Sequence, residues 1–190
     1  SAPRPPARVA DADSIIALPE SQVEHLSLNV TRPALADPSV RKAIALGIDY
    51  DAIAKGAFPG YATPAKGIIA PNLPNWAAPT GAAVARDVEA AKAELAKAAA
   101  APGSLELIFD SGIPADTLVA QVVQSNLKDV GIDVTLTGLE TGAFLDRAFG
   151  LDSDMMIWSY GAISPDVVDP MGWILGTSML FTGADDAGLA

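Results

Sequence analysis

The sequence predicts an α/β fold in which helices pack on a sheet. Three observations point there. Apolar residues alternate at period two in short runs near residues 104–110 and 132–136. They recur at helical spacing over residues 86–100 and 114–130. Proline and glycine stand at the junctions, giving the order strand, helix, strand, helix, strand.

Taken in order, residues 1–12 hold three prolines and little periodicity, which reads as a tail or cut end. A basic start followed by an apolar stretch is missing there, so no signal peptide is expected. Residues 14–18 and 22–29 read as strands separated by Pro19. In the second, Val23, His25, Ser27 and Asn29 share one face, while Glu24, Leu26 and Leu28 share the other. Asp37-Pro38 opens a helix, since the carboxylate can accept from free N–H groups and proline loses no needed donor. Val40, Ala43, Ile44 and Ile48 follow at helical spacing, with Gly47 a weak point. Asp49 caps a second short helix through Ile53.

Residues 56–81 carry five prolines, at positions 59, 64, 71, 74 and 79, among several glycines. No helix or central strand tolerates that density, and so long an irregular stretch reads as a binding loop. Tyr61, Ile68, Ile69 and Trp76 within it are expected to bury. A helix over residues 86–100 shows Val88, Ala91 and Leu95 on one face. Strand 104–110 comes next. Pro114 then opens a helix with Leu118, Val119, Val122, Val123, Leu127 and Val130 expected inward, and Gly131 ends it. Ile132, Val134 and Leu136 alternate as a strand. Residues 141–149 form a short helix with Phe144, Leu145 and Ala148 inward, and residues 155–160 an apolar strand.

Composition narrows the function. The 190 residues hold 12 Lys plus Arg against 23 Asp plus Glu, a net charge of −11. That balance excludes a nucleic-acid partner, whose phosphates need a basic face, and an anionic membrane surface. Half the residues are hydrophobic, ample for a core, yet no apolar run is long enough to span a bilayer. The absence of cysteine removes disulfides, thiolate metal sites and a cysteine nucleophile. A single histidine, His25, rules out a site built on two imidazoles, and no metal or cofactor is expected.

Several motifs occur in a specific order. They are Leu26-Ser27-Leu28-Asn29, Pro33, Asp37, Val40-Arg41, Ala43 and Ile48-Asp49. Gly60, Pro64, Gly67 and Pro71 follow, then Asp87, Ala91-Lys92, Leu95, Gly131-Ile132 and Val134. Asp154-Met155-Met156, Trp158-Ser159 and Asp169-Pro170 complete the series. In this order the chain resembles the family 5 extracellular solute-binding proteins, which serve peptide, dipeptide and nickel ABC importers. The resemblance covers roughly residues 15–183. It implies a periplasmic-binding-protein-like lobe with a mixed sheet flanked by helices.

Family members are bilobal and longer. The resemblance therefore implies that residues 15–183 are most of the second lobe, with 1–14 a tail and 184–190 a truncated C-terminal end. It implies a small-molecule or peptide ligand held between this lobe and a first lobe of the same protein that is missing here. Closure of the lobes would be read by ABC permease subunits. The implied location is periplasmic or extracytoplasmic, membrane-associated only through the transporter.

Candidate ligand contacts follow. Trp158, Ser159 and Tyr160 leave an apolar strand toward a loop, and the resemblance turns this strand end to the ligand. Indole and phenol offer large contact area at low entropic cost. In peptide-binding relatives an acidic residue three positions after the matching tryptophan holds the peptide amine. Here that position is Gly161, and Asp166 is the candidate to replace it from a longer loop. Asp169 before Pro170 reads as a helix cap. Asp110 and Ser111 end a strand, where the Ser111 side chain and free amides are expected to hold polar ligand atoms. Tyr61 is a further candidate from its loop. Arg41 is expected to form a structural ion pair, and Asp152 and Asp154 to sit in solvated turns.

Two other readings remain. Asp110-Ser111-Gly112 also matches the signature of aspartic hydrolases, in which two copies share a proton across a dimer. That fold is nearly all strands, however, whereas a helix starts at Pro114. An interaction domain without a small ligand is the third reading.

Overall fold

A computed structural model describes residues 21–67, 70–74, 76–77 and 84–161 of the chain. Four strands form one mixed sheet in the order β1-β4-β2-β3. They are β1 (Gln22–Leu28), β2 (Ser104–Asp110), β3 (Asp133–Leu139) and β4 (Met155–Gly161). β2 runs parallel to β3 and to β4, and β1 runs antiparallel to β4.

Six helices accompany the sheet. They are α1 (Pro33–Ala36), α2 (Pro38–Gly47), α3 (Tyr50–Ala57), α4 (Val88–Leu95), α5 (Pro114–Val130) and α6 (Thr141–Phe149). Acidic caps set three of the starts. The carboxylates of Asp37, Asp49 and Asp87 accept from the amides of Ser39, Ala52 and Ala90. Gly131 stops α5 in the left-handed region at φ 96°, its amide donating to the carbonyls of Leu127 and Lys128.

The connections decide which face each helix covers. α5 leads from β2 to its immediate neighbour β3, while α6 leads back from β3 across β2 to β4. Right-handed crossovers in opposite directions place the two helices on opposite faces. The packing agrees. Leu105, Leu107, Phe109, Met155 and Ile157 face α5, together with α2 residues Val40 and Ile44. Ile108 and Met156 face Phe144 and Ala148 of α6.

Several expectations need correction. Leu118 is 46% exposed rather than inward. The buried residues of α5 are Asp116, Val119, Ala120, Val123, Leu127 and Val130, and at about 100° per residue Leu118 falls on the opposite side. The helix expected over residues 86–100 spans only Val88–Leu95. α1 was not foreseen; it carries no side-chain cap, but it buries Leu35 completely. Tyr61 is 45% exposed, although Leu73 and Ala70 of the same loop bury against Val23. The strand expected over residues 14–18 and the tails at 1–14 and 184–190 lie outside the described residues, as do Asp166 and Asp169.

Among the described residues Arg41 makes no ion pair; its guanidinium donates to the carbonyls of Leu35 and Ala36, at 2.7 and 2.9 Å, and so closes the end of α1. Asp152 and Asp154 are not simple solvated turns. Arg32 reaches Asp152 at 3.2 Å and Asp154 at 3.8 Å, and Asp154 accepts from the amide of Glu106. Arg147 of α6 grips Glu106 of β2 with two nitrogens, at 3.0 and 2.6 Å. This guanidinium, foremost among the causes, holds the Glu106 carboxyl below its ordinary value. The pair fastens α6 to the N-terminal half of β2. Arg147→Met is expected to lower stability by about 1–2 kcal/mol, by leaving a partly buried carboxylate without its bidentate donor. Urea unfolding checks this, and an unchanged midpoint would contradict it.

Gly47 is needed for close helix packing. A Cβ there would lie 2.8 Å from Cγ2 of Val130 and 3.4 Å from Cδ2 of Leu127, both on α5. The Val130 methyl is short and stiff, so it cannot swing aside. Gly47→Ala is expected to destabilise by about 1–2 kcal/mol despite the better helix propensity of alanine. A variant as stable as the parent in urea would refute the close approach.

Candidate functional site

Strand direction gathers the candidate residues at one end of the sheet. β2, β3 and β4 are parallel, so Asp110, Leu139 and Gly161 end together. β1 is antiparallel and brings its first residues to the same edge, with Gln22 opposite Gly161, Val23 opposite Tyr160 and His25 opposite Trp158. Leu107 pairs with Met155 and Ile108 with Met156. Continuing that register sets Asp110 level with Trp158. The loops into α5 and α6 are only residues 111–113 and residue 140, so both helix starts open at this edge. Carboxyl ends of strands in open α/β sheets, where loops converge, are the usual place for a ligand crevice.

Alternation then divides the side chains between the two faces. Trp158 lies on the α6 side, half-buried, with its ring stacked on Phe144 at 5.6 Å between centroids and 19° between planes. Ser159 lies on the α5 side, where its Oγ accepts from Nε2 of Gln22 at 2.7 Å. Tyr160 is half-buried at the register position facing Val23, against which Ala70 and Leu73 of the proline-rich loop also pack.

The loop after β2 differs from expectation in one respect. Its amides are not free. The amide and hydroxyl of Ser111 both donate to the Leu139 carbonyl, at 2.8 and 2.9 Å. Gly112 donates to Oδ1 of Asp110 and Ile113 to the Asp110 carbonyl. Ser111 Oγ therefore presents only acceptor capacity outward. Tyr61 sits in the turn after α3, and no described hydrogen bond or ring contact links it to the strand ends. His25 is held neutral by burial, which lowers its pKa.

Two residues escaped the sequence reading. Glu24 faces Ser159 across the β1–β4 pair, and Asp116 lies in the first turn of α5. Burial, followed by the charge of Asp116, raises Glu24 to about 8. Burial, followed by the charge of Asp110, raises Asp116 to about 7. Glu24 shares its face with Leu26 and Leu28, both packed against the main core, and a carboxylate at an inward position was the available signal.

A hollow at the opposite end of the sheet is lined by Arg32, Asp37, Ala99–Pro102 and Asp154. Its polar groups are committed: Arg32 and Asp154 as above, and Asp37 to the amides of Ser39 and Ala99. Among the described residues no cluster of ligating side chains suits a metal ion.

The description "Bacterial extracellular solute-binding proteins, family 5 Middle" matches residues 2–179. The chain belongs to the family 5 bacterial extracellular solute-binding proteins. It is 32% identical over 136 residues to the glutathione-binding protein GsiB of Salmonella choleraesuis, covering 67% of this chain and 25% of that protein. It is 30% identical over 176 residues to di/tripeptide-binding protein 2 of Pseudomonas aeruginosa, covering 86% of this chain and 31% of that one. The solved substrate-binding protein CtaP of Listeria monocytogenes superposes with a TM-score of 0.83 at 17% identity, over 91% of this chain and 36% of that one, a likeness of fold. The family 5 chain thus spans about a quarter to a third of the length of these relatives. Its relatives are binding proteins rather than enzymes, and its helix-rich layer is unlike the nearly all-strand fold that the Asp110 hydrolase reading requires. Among the described residues no helix is long and apolar enough to cross a membrane.

Proposed function

We propose that this chain is one lobe of an extracytoplasmic solute-binding protein that captures a peptide or similar small polar solute for an ABC importer. Half of the ligand cleft is the strand-end edge. Trp158 and Tyr160 give aromatic contact, and Ser159, Asp110 and the outward acceptor of Ser111 give polar contact. The other half comes from a lobe outside this sequence, and permease subunits read the closed form. Asp166 and Tyr61 are further candidate contacts, carried over from the sequence reading. The observation that carries the reading is the convergence at one edge of the Asp110–Ser111 turn and the Trp158–Gly161 strand end. These two segments are distant in sequence, and only the parallel β2–β4 pairing joins them. No bond is made or broken in this reading; the work is reversible capture.

Calorimetry of the full-length protein against di- and tripeptides and small polar solutes tests it. Saturable binding of at least one class, with Trp158 emission changing on binding, is expected. Peptide turnover abolished by Asp110→Asn would instead favour the hydrolase reading.

A further inference from the structure

β4 carries Trp158 and Tyr160, and its own residues leave its register open. Met155 and Ile157 face α5, while Met156 and Trp158 face α6, so the first four residues are apolar on both sides. A strand with one apolar and one polar face is fixed by that contrast, since a slip of one residue sends every side chain to the wrong face. Here such a slip exchanges one apolar set for another. The two methionines are unbranched and refill either space. At the strand-end edge a half-exposed side-chain bond joins Gln22 to Ser159.

The opposite end of the strand is held more fully. Asn29, only 3% exposed, directly follows β1. Its Nδ2 donates to the carbonyls of Leu151 and Ser153, at 2.9 and 3.0 Å. Its main-chain amide donates to the carbonyl of Asp154, at 2.9 Å. Its Oδ1 accepts from the amide and hydroxyl of Thr31, at 3.1 and 2.6 Å. Only a primary amide suits this position, because one end must donate twice and the other must accept. Arg32 donates to the same Leu151 and Ser153 carbonyls, each at 3.3 Å, and Arg147 to that of Asp152. The four carbonyls in front of β4, from Leu151 to Asp154, thus all accept from outside their turn. The turn also carries strain. Leu151 stands in the left-handed region at φ 52°, where a leucine stays only if its surroundings impose it. The Asp154 carboxylate accepts from the Glu106 amide and ties the same turn to β2.

We propose that Asn29, with Arg32 beside it, is a positioning residue of the ligand site. It sets the register of β4, and so decides which face of the sheet Trp158 and Tyr160 present at the strand-end edge. The action passes along the strand, since four residues separate Asp154 from Trp158, about 13 Å of extended chain. What Trp158 and Tyr160 then do rests on the solute-capture reading; the register itself does not.

The test uses the full-length protein without ligand. The 190 residues contain no cysteine, so engineered thiol pairs report the register. Glu24→Cys with Ser159→Cys places two thiols at facing positions of β1 and β4. Glu24→Cys with Trp158→Cys, or with Tyr160→Cys, brings them face to face only after a slip of one residue. With Asn29 intact, the first pair is expected to close under mild oxidation and the other two to stay open. Asn29→Asp keeps the shape of the side chain but turns an oxygen toward two carbonyls. It is expected to shift the balance toward the slipped pairs roughly 10-fold or more, as for buried polar groups left without donors. Arg32→Met, at a partly exposed position, is expected to give a smaller shift in the same direction, and it carries the test if Asn29→Asp does not fold. Urea unfolding of the same variants separates positioning from support. Variants that lose stability yet close the Glu24–Ser159 pair as fully as the parent, and never the slipped pairs, overturn the proposal and leave Asn29 a purely structural residue. Calorimetry that finds no bound solute removes the capture reading and leaves the register result standing.

Discussion

Raising the pH from 5 to 8 is expected to weaken the fold by on the order of 3 kcal/mol, and Glu24→Gln to remove most of that loss. The cause is the pair of carboxyls on the α5 face. Glu24 titrates near 8 in the folded protein against 4.5 in a free chain, and Asp116 near 7 against 3.8. Between those limits the folded protein binds more protons than the unfolded one. Stability from this source is therefore full below about pH 4 and is lost as pH rises toward 8. His25 works in the opposite sense, because burial lowers its pKa and the unfolded chain binds that proton more readily below pH 6.5. One imidazole cannot offset two carboxyls. The lowered carboxyls of Asp37, Glu94 and Glu106 act only in more acidic solution. Urea unfolding of the ligand-free protein at pH 5, 6.5 and 8 reads the effect. Stability that is flat or rises across this range would show that Glu24 is not buried beside Asp116.

Trp158→Ala in the full-length protein is expected to weaken ligand binding roughly 30-fold or more, as for the truncation of an aromatic anchor at the centre of a contact. The indole is fixed from behind by the Phe144 ring and stands at the register position of His25. It thus offers its contact area already ordered. Trp158→Phe keeps the stack on Phe144 and is expected to lose about fivefold or less. Titration calorimetry of both variants, with unfolding curves to confirm that they fold, separates contact from support. A Trp158→Ala variant that folds and binds like the parent would remove Trp158 from the cleft.

The sequence made much of this fold legible, and the reasons are local. Asp37-Pro38, Asp49 and Asp87 announce helix starts because a carboxylate before free amides has a specific partner. Gly131 announces a helix end because its φ of 96° suits glycine. β4 and the core of β2 are apolar because helices cover both faces of the sheet. The mistakes are equally physical. Leu118 was assigned inward by counting apolar residues on two sides of one helix, and only the position of the sheet separates those sides. Arg41 was read as an ion-pair partner because sequence does not reveal that the short α1 ends with carbonyls needing donors.

The site was legible in part. Trp158, Tyr160, Asp110 and Ser111 stand at strand ends, where reading strands from sequence places them. That they share one edge depends on the strand order, which no local pattern encodes. Glu24 and Asp116 were passed over for a related reason. Glutamate in an alternating strand reads as a surface residue, and aspartate in a first helical turn reads as dipole compensation. Asp116 and the Glu24 Oε1 atom are withdrawn from water where α5 packs on the face of the sheet that Glu24 shares with Leu26 and Leu28.

The structure of the full-length protein with a bound solute tests the central claim most directly. Ligand atoms are expected within about 4 Å of Trp158 and Tyr160, the contact range of packed groups, with the strand ends of β1, β2 and β4 forming one wall. A ligand held entirely by other parts of the protein, with Trp158 and Tyr160 covered by their own chain, would contradict it.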